Sequence, residues 1–255
     1  MNPVSVSSAD GVALIRIDNP PVNALTDAVI EGLSTAIDAV ARDAGVRAVV
    51  VLGAGRTFPA GADIKGLENI AWGGDSGAPD LHALLQRIED LPKPVVIAMH
   101  GTALGGGLEI AMAGHYRVAL PEGQMGLPEA NLGIVPGAEG TQRLPRLVGV
   151  GRALLLNLTG DFIDSQTAYD WGLVEKVVPH EELRETALAI ARTIASRSPV
   201  SVGILRELAR TTRDLSLEEG LRREADGFRR CLESEDGAEG VAAFLEKREP
   251  TFSGR

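Results

Sequence analysis

The sequence predicts an α/β fold that ends in a helical subdomain. An uninterrupted, Val-rich apolar run at residues 48–52 has the composition of a strand that is buried on both faces. A second apolar run, after Pro94, leads through three consecutive glycines into a helix-like segment. From residue 181 onward the pattern is that of amphipathic helices alone. We therefore expect a core over residues 1–197 and a helical subdomain over residues 198–255.

Turn residues and hydrophobic periodicity place the other elements of the N-terminal half. Two short strands flank Asp10-Gly11, because this dipeptide supplies the positive φ angles of a tight hairpin. Thr26 is suited to cap a helix whose apolar residues recur at helical spacing. Pro92 and Pro94 end another helix ahead of the central strand. The predicted segments are strands at residues 4–8, 12–17 and 48–52, a helix between Thr26 and Gly45, and a helix at residues 80–91.

Beyond the glycine run, strands and short helices alternate. Gly149 and Gly151 separate two short helices, and Gly172 is placed to end a third. The predicted segments are strands at residues 116–120 and 174–178 and helices at residues 140–148, 152–158, 165–171, 181–196, 200–213 and 217–231.

Composition excludes several functional classes. The chain has 255 residues, 44% of them hydrophobic, which suits one domain with a sizeable core. Its formal net charge of -10 argues against nucleic acid or an anionic membrane as main partner, since both require a basic surface. A single cysteine, Cys231, allows no intramolecular disulfide. The four histidines lack helical zinc-site spacing, so we expect no metal.

No sequence signal points to a membrane or an organelle. No apolar run approaches the roughly 18 residues of a membrane helix. The first residues resemble neither a secretory signal nor an Arg-rich transit peptide, and the last residues are not a peroxisomal Ser-Lys-Leu signal. We therefore expect a cytoplasmic protein with no membrane partner.

Two glutamates beside glycine-rich backbone form the strongest chemical signal. Three glycines, 105–107, leave backbone amides unshielded, and the helix that follows directs its positive end at the same place. Glu109 lies in the first turn of that helix, and Glu129 follows Pro128 twenty positions later. Two carboxyl groups near one anion site suggest proton transfer around an enolate.

Two simpler interpretations compete with this one. Each glutamate alone could be a helix N-terminal carboxylate that complements the helix dipole. The order strand, glycine turn, helix, strand could also indicate a dinucleotide-binding unit, but the third glycine of the G-x-G-x-x-G pattern would fall on Ile110. The joint placement of both glutamates favours catalysis.

Motifs along nearly the whole chain resemble the crotonase family, which comprises enoyl-CoA hydratases and their isomerase relatives. They occur in family order, which makes the resemblance specific. The motifs are Asn-Pro-Pro-Val-Asn-Ala-Leu at residues 19–25, Phe-Pro-Ala-Gly-Ala-Asp-Ile-Lys at 58–65, Ala-Leu-Gly-Gly-Gly-Leu-Glu at 103–109, Leu-Pro-Glu at 127–129, Gly-Ile-Val-Pro-Gly at 133–137, Trp-Gly-Leu-Val-Glu-Lys-Val-Val-Pro at 171–179 and Glu-Gly-Val-Ala-Ala-Phe-Leu-Glu-Lys-Arg at 239–248.

The resemblance implies a fold, an assembly and roles for individual residues. It implies a spiral of repeated strand-strand-helix units whose helical C-terminal subdomain forms a homotrimer or a dimer of trimers. The amides of Ala62 and Gly106 would form an oxyanion hole. Glu109 would deprotonate the water and Glu129 would protonate C2, while the Gly137 amide would hold the water or a glutamate oxygen.

The implied substrate is an acyl-CoA thioester, so coenzyme A is part of the substrate and no separate cofactor is expected. The family pattern places substrate contacts at two groups of residues, Ala60, Asp63 and Ile64, and Phe228, Phe244 and Lys247, the second partly across a subunit boundary. Ordinary core aromatics and a solvated lysine are the alternatives for that second group.

Three further features bear on the resemblance. A basic residue that many relatives carry just before Asn23 is absent here. Glu139 stands where many relatives have glycine, and we interpret it as a first-turn carboxylate rather than a third catalytic acid. Residues 70–79 are expected to form a loop near the acyl pocket.

The implied activity is hydration of a trans-2-enoyl-CoA to a 3-hydroxyacyl-CoA. A Δ3,Δ2-enoyl-CoA isomerase, which usually needs only one of the two acids, is the nearest alternative. A non-catalytic CoA-binding scaffold is the other. The sequence leaves the acyl chain length, its branching and the pathway open.

Overall fold

A computed structural model describes residues 2–63, 79–212 and 214–255. The strands are β1 (Val4–Ala9), β2 (Val12–Ile17), β3 (Ala48–Gly53), β4 (Val95–Met99), β5 (Ala103–Leu104), β6 (Tyr116–Ala119), β7 (Gln124–Gly126), β8 (Ile163–Asp164) and β9 (Lys176–Val177). The helices are α1 (Asp27–Arg42), α2 (Leu81–Asp90), α3 (Gly106–Ala113), α4 (Gly140–Val148), α5 (Val150–Thr159), α6 (Ser165–Trp171), α7 (His180–Ala195), α8 (Pro199–Thr211), α9 (Leu217–Glu233) and α10 (Glu235–Glu246). A short 3-10 helix spans Pro128–Leu132.

In the described part of the chain, the larger sheet has six strands in the order β1-β2-β3-β4-β6-β9. Only the β1–β2 hairpin is antiparallel, while the other neighbouring strands of this sheet are parallel. Alternate residues of the central strands enter two separate cores: Val49 and Val51 pack on one face, and Ala48 and Val50 on the other. Helices α1, α2 and α3 cover the first face and α7 covers the second, which explains why these strands are continuously apolar.

The smaller sheet, β5-β7-β8, brings two distant loops together. Its strands β5 and β7 are parallel, with Leu104 opposite Gly126. The Gly105 amide extends the pairing by donating to the carbonyl of Gly126 at 3.0 Å. Because parallel neighbours end at the same edge, the glycine run after β5 and the 3-10 helix after β7 emerge side by side.

The structure confirms the α/β class and every strand and helix that the sequence predicts, with small shifts at their ends. Asp10 and Gly11 have the positive φ angles expected of the hairpin turn. Gly172 ends α6 in the left-handed conformation. Thr26 occupies the N-cap position of α1, as predicted. Its side chain, however, makes no capping hydrogen bond.

Several elements were not predicted. Strands β5, β7 and β8 have two or three residues each, too few to show a period of two. Helix α10 contains Gly237 and Gly240, which weaken a helical pattern. The division of the chain at residue 198 stays a prediction, as does the loop near the acyl pocket, which apart from Pro79 lies outside the described residues.

Candidate active site

Glu109 is a buried carboxylate held by two backbone amides. It lies in the first turn of α3 and its exposure is 2%. Its Oε1 accepts hydrogen bonds from the amides of Ala138, at 2.9 Å, and Gly140, at 2.7 Å. These amides precede and begin α4, so the negative charge also lies at a helix N-terminus. The two amides offset part of the cost of a negative charge on Glu109 within an apolar core.

The glycines before Glu109 allow close approach of two side chains and one backbone segment. Gly105 has a φ of +51°, and a β-carbon placed there would lie 2.8 Å from Glu129 Oε1. A β-carbon on Gly106 would lie 2.9 Å from Leu25 Cδ1, and one on Gly107 would lie 1.8 Å from the carbonyl oxygen of Pro59. The run therefore seats α3 against the 59–62 segment and against Glu129.

Replacing Gly107 with alanine should destabilise the fold strongly, because the atom that it would strike is backbone and cannot rotate away. We expect a loss of about 3 kcal/mol or more of unfolding free energy, measured by denaturant titration. Gly151→Ala is the matched control, since Gly151 lies in α5 with nothing within 4 Å of its would-be β-carbon. That control should be neutral or stabilising by up to about 1 kcal/mol. Equal effects of the two substitutions would contradict the close approach.

Ala62 and Gly106 lie on adjacent backbone segments. Leu25 pairs with Ala62 in a parallel bridge, donating to the Gly61 carbonyl at 3.0 Å and accepting from the Asp63 amide at 3.4 Å. The Leu25 side chain also lies against Gly106, since its Cδ1 would be 2.9 Å from a β-carbon there. Within the described ranges, neither the Ala62 nor the Gly106 amide has a hydrogen-bond acceptor. Two such donors can bind one oxygen that carries negative charge.

Glu129 lies over the same glycine turn. The 3-10 helix after β7 carries it, with Pro128 at the first position. Its Oε1 faces Gly105, and its Oε2 is buried with no hydrogen-bond partner among the described residues. A buried carboxylate oxygen without a donor disfavours the charged form. Glu129 therefore differs from Glu109, whose charge two amides stabilise.

The pKa values of both glutamates lie above their ordinary range. Burial raises the pKa of Glu109, the nearby Glu129 carboxylate adds to the rise, and the amides of Gly140 and Ala138 and His82 oppose it. Burial also raises the pKa of Glu129. Only its own backbone amide opposes the rise in the pKa of Glu129, whereas two amides and His82 oppose it at Glu109. A difference of this kind is how paired acids divide base and acid roles.

A raised carboxyl pKa means that ionisation of Glu109 weakens the fold. The unfolded chain releases this proton near its ordinary pKa of 4.5, whereas the folded chain retains it to higher pH, so stability falls as pH rises above 4.5. Glu109→Gln removes the cost, and its Tm at pH 7 should exceed that of the parent chain by about 2 °C or more. The gain should shrink toward pH 4. Calorimetry at both pH values measures it, and a lower Tm at pH 7 would contradict the prediction.

The structure places the remaining predicted residues in three different settings. Ala60 is partly buried and its amide donates to the Val22 carbonyl at 3.1 Å, beside the Ala62 segment. Ile64 lies outside the described residues. Gly137 is exposed and makes no hydrogen bond within the described ranges, so its predicted water-holding role stays a prediction.

The predicted coenzyme contacts lie on the C-terminal helices. Phe228 on α9 is 65% exposed and Phe244 on α10 is 83% exposed. Lys247 ends α10 in the left-handed conformation. The ordinary-core alternative for the two aromatics is therefore wrong, since both side chains face outward. The contacts of the described residues bring none of these three to the glutamates, and their coenzyme role stays a prediction.

Sequence reasoning missed the residues that hold Glu109 in place. Ala138 and Gly140 act through backbone amides, for which an alanine gives no signal. Glu139 lies between them, and Arg143 binds its carboxylate. The Gly-Ala-Glu-Gly run at 137–140 was a signal of an unusual turn, but its orientation toward Glu109 depends on the tertiary fold. His100 and His115 bind backbone groups, as expected of packing histidines.

Within the described residues, no cluster of three or more His, Cys, Asp or Glu side chains is suited to hold a metal ion. The helices in those same ranges are too short or too polar to cross a bilayer.

Three comparisons with known proteins bear on this site. The family model described as enoyl-CoA hydratase/isomerase matches residues 7–255. A probable enoyl-CoA hydratase from Bacillus subtilis is 46% identical over 257 residues, covering all of both chains. A crotonyl-CoA hydratase from Syntrophomonas wolfei is 38% identical over 98% of this chain and 97% of its own. The crystal structure of an enoyl-CoA hydratase from Bacillus anthracis, 38% identical, superposes with a TM-score of 0.92 over 99% of this chain and all of that one.

Proposed function

This chain belongs to the enoyl-CoA hydratase/isomerase family, and on that premise we propose that it adds water to a trans-2-enoyl-CoA to give a 3-hydroxyacyl-CoA. Membership confirms the resemblance and the crotonase-like fold that the motifs predict. One observation carries the proposal: two carboxyl groups in different environments lie beside a single glycine turn, where the Gly106 amide has no acceptor among the described residues.

The thioester oxygen is proposed to bind between the amides of Ala62 and Gly106. Addition at C3 moves electrons from the double bond onto this oxygen, which becomes an enolate oxygen. The N-terminus of α3 contributes its positive dipole end at the same place. Donors that are fixed before the reaction stabilise the developing charge without reorganisation, which makes them the largest expected contribution to catalysis.

The two glutamates have different roles in proton transfer: one accepts a proton from water and the other donates a proton to C2. Glu109 is the base, since two amides stabilise its anion: it takes a proton from the water while the water oxygen bonds to C3. Glu129 is the acid, since its unpartnered Oε2 favours the protonated form: it gives a proton to C2 as the enolate collapses. One water is added in total. Transfer of the proton from Glu109 back to Glu129, through solvent, resets the pair.

The substrate is proposed to be an acyl-CoA thioester, with coenzyme A as part of the substrate. Ala60, Asp63 and Ile64 are its proposed contacts near the thioester, and Phe228, Phe244 and Lys247 its contacts with the coenzyme. The relatives carry names for different acyl groups, among them crotonyl-CoA and 2,3-dehydroadipyl-CoA hydratase.

The second candidate is a Δ3,Δ2-enoyl-CoA isomerase. The unpartnered Oε2 of Glu129 favours it, because isomerisation needs one group that moves a proton between two carbons above the same oxyanion site. The amide-held carboxylate of Glu109 favours hydration, which needs a second group to activate water.

The absorbance of the conjugated enoyl thioester distinguishes these activities, because hydration lowers it and isomerisation raises it. Purified chain mixed with crotonyl-CoA should lower the absorbance as water adds across the conjugated bond. Mixed with a 3-enoyl-CoA, an isomerase would raise the absorbance as conjugation forms. A rise with the 3-enoyl substrate and no fall with crotonyl-CoA would replace the hydratase proposal with the isomerase. Binding of crotonyl-CoA without either change would leave a CoA-binding scaffold.

We also propose assembly into a homotrimer or a dimer of trimers. Exposed apolar side chains on the later helices support it, because patches of this kind mark protein interfaces. They are Val150, Leu154, Leu155 and Leu158 on α5, Leu217, Leu221, Phe228 and Leu232 on α9, and Val241, Phe244 and Leu245 on α10. Sedimentation should give three or six times the chain mass of 26.8 kDa, and a monomer would contradict the proposal.

A further inference from the structure

Glu139 has an unusual backbone conformation directly beside the proposed base. Its φ is +72° and its ψ is 2°, in the left-handed region that favours glycine. A side-chain-bearing residue persists in this conformation only where its surroundings hold it there, and such positions cluster at functional sites. The contacts of Glu139 show what holds this one.

The side chain of Glu139 is fixed from two helices. On the α4 side, Arg143 donates to Oε2 from Nε at 2.8 Å and from Nη2 at 2.5 Å. On the α2 side, Gln86 Nε2 donates to Oε1 at 3.3 Å, and His82 Nδ1 lies 3.7 Å from the same oxygen. Arg143 also binds Glu89 Oε2 of α2 at 2.9 Å. The Glu139 and Arg143 side chains are 17% and 12% exposed, so solvent screens this pair only in part.

The backbone on either side of Glu139 is what holds Glu109. The amides of Ala138 and Gly140 donate to the same oxygen, Glu109 Oε1. A left-handed residue between two amides makes the backbone concave, so that neighbouring N–H groups point at one anion. The space beside Gly140 is equally restricted, since a β-carbon there would lie 2.7 Å from Glu109 Oε1. The turn at Glu139 and the position of the Glu109 carboxylate thus depend on each other.

We propose that Glu139 is a positioning residue for Glu109. Its carboxylate, held by Arg143, keeps residue 139 in the left-handed conformation, and this conformation keeps two amides on Glu109 Oε1. The other oxygen of Glu109, Oε2, then lies on the side of Gly106, where it is available to the water of the proposed reaction. The Glu139 side chain contacts Arg143, Gln86 and His82, and no direct role in the reaction is proposed for it. This inference rests on the proposed role of Glu109 as base.

Two substitutions separate the turn from the carboxylate. In Glu139→Ala the left-handed backbone conformation is still unfavourable, but the side-chain contacts that offset its free-energy cost are gone. The turn should therefore relax, and the amides of Ala138 and Gly140 should move away from Glu109. We expect kcat for crotonyl-CoA hydration to fall about tenfold or more, with KM within twofold. Glu139→Gly adopts the same turn without strain and should restore kcat to within about threefold of the parent chain.

The pH dependence of kcat/KM should change when the turn at residue 139 is lost. Glu109 must be ionised to act, and the charged or titratable groups that act on it are Glu129 and His82. Loss of the two amides raises the pKa of Glu109, so the acid limb of kcat/KM should shift to higher pH in Glu139→Ala and return in Glu139→Gly. Carboxyl-carbon NMR of Glu109 should show the same shift in the absence of substrate.

Asp10→Ala is the matched control, because Asp10 also has a positive φ, +52°, but lies in the β1–β2 turn. It should lower Tm without moving kcat or the acid limb. The positioning role would be overturned if Glu139→Ala had the same kcat and the same Glu109 titration as the parent chain. It would also be overturned if Glu139→Gly were as impaired as Glu139→Ala. A parent chain without turnover would instead sink the hydratase function, while the NMR shift would still test the turn.

Discussion

Replacing either Glu109 or Glu129 with glutamine should lower kcat for crotonyl-CoA hydration by a factor of about 10² to 10⁴, the usual contribution of a general acid or base. Glutamine keeps the size of the side chain and, at position 109, can still accept from the Ala138 and Gly140 amides. It can neither take a proton from water nor give one to C2. KM should change little, because neither carboxylate is proposed to bind the coenzyme.

Steady-state assays of the two variants measure this effect, with Glu181→Gln as the control for an exposed glutamate in the first turn of α7. The control should match the parent chain. A variant at position 109 that retained more than a tenth of parental kcat would remove Glu109 from the base role. Loss confined to Glu129→Gln would favour the one-acid chemistry of an isomerase.

Removing one donor of the proposed oxyanion hole should cost a factor of about 10² to 10³ in kcat. The donor at residue 62 is a backbone N–H, so the change that isolates it is replacement of Ala62 by lactic acid. This substitution keeps the methyl group and turns the amide into an ester. The Gly61 carbonyl becomes the ester carbonyl and accepts more weakly from the Leu25 amide, whereas the hydrogen bond from the Asp63 amide to the Leu25 carbonyl is kept.

An ester at Ala41, an exposed position of α1, controls for the chemistry of the replacement. It should lower Tm through the loss of a helix hydrogen bond and leave kcat unchanged. An Ala62 ester with parental kcat would show that the thioester oxygen binds elsewhere. A rise in KM alone would indicate that the Ala62 amide binds substrate and transition state equally.

Much of the fold was predictable because its long elements carry periodic patterns. Helix α1 buries Val29, Leu33, Ile37 and Val40, the residues whose spacing predicts it. Strand β3 is buried along almost its whole length, as its continuous valines predict. The small sheet was not predictable, since β5 and β8 have two residues each and depend on pairing with β7. Yet this sheet brings the two glutamates together.

The candidate site was predictable where side chains carry the chemistry. Glu109 and Glu129 follow from their glycine and proline neighbours and from the family motifs. The contacts that distinguish them, two amides on Glu109 Oε1 and no partner for Glu129 Oε2 among the described residues, depend on backbone orientation, which the residue types do not encode. For Glu139 the sequence interpretation as a first-turn carboxylate is wrong, because the residue is the N-cap of α4 and lies before its first turn. Its left-handed backbone and its contact with Arg143 appear only in the fold.

The central claim, that this chain adds water to an enoyl thioester, is tested most directly by the mass of the product. Crotonyl-CoA incubated with the purified chain in H₂¹⁸O should give a product heavier by one molecule of labelled water, with the label on C3 of the acyl group. Unchanged mass after prolonged incubation, with the thioester intact, would contradict hydration whatever the geometry of the two glutamates.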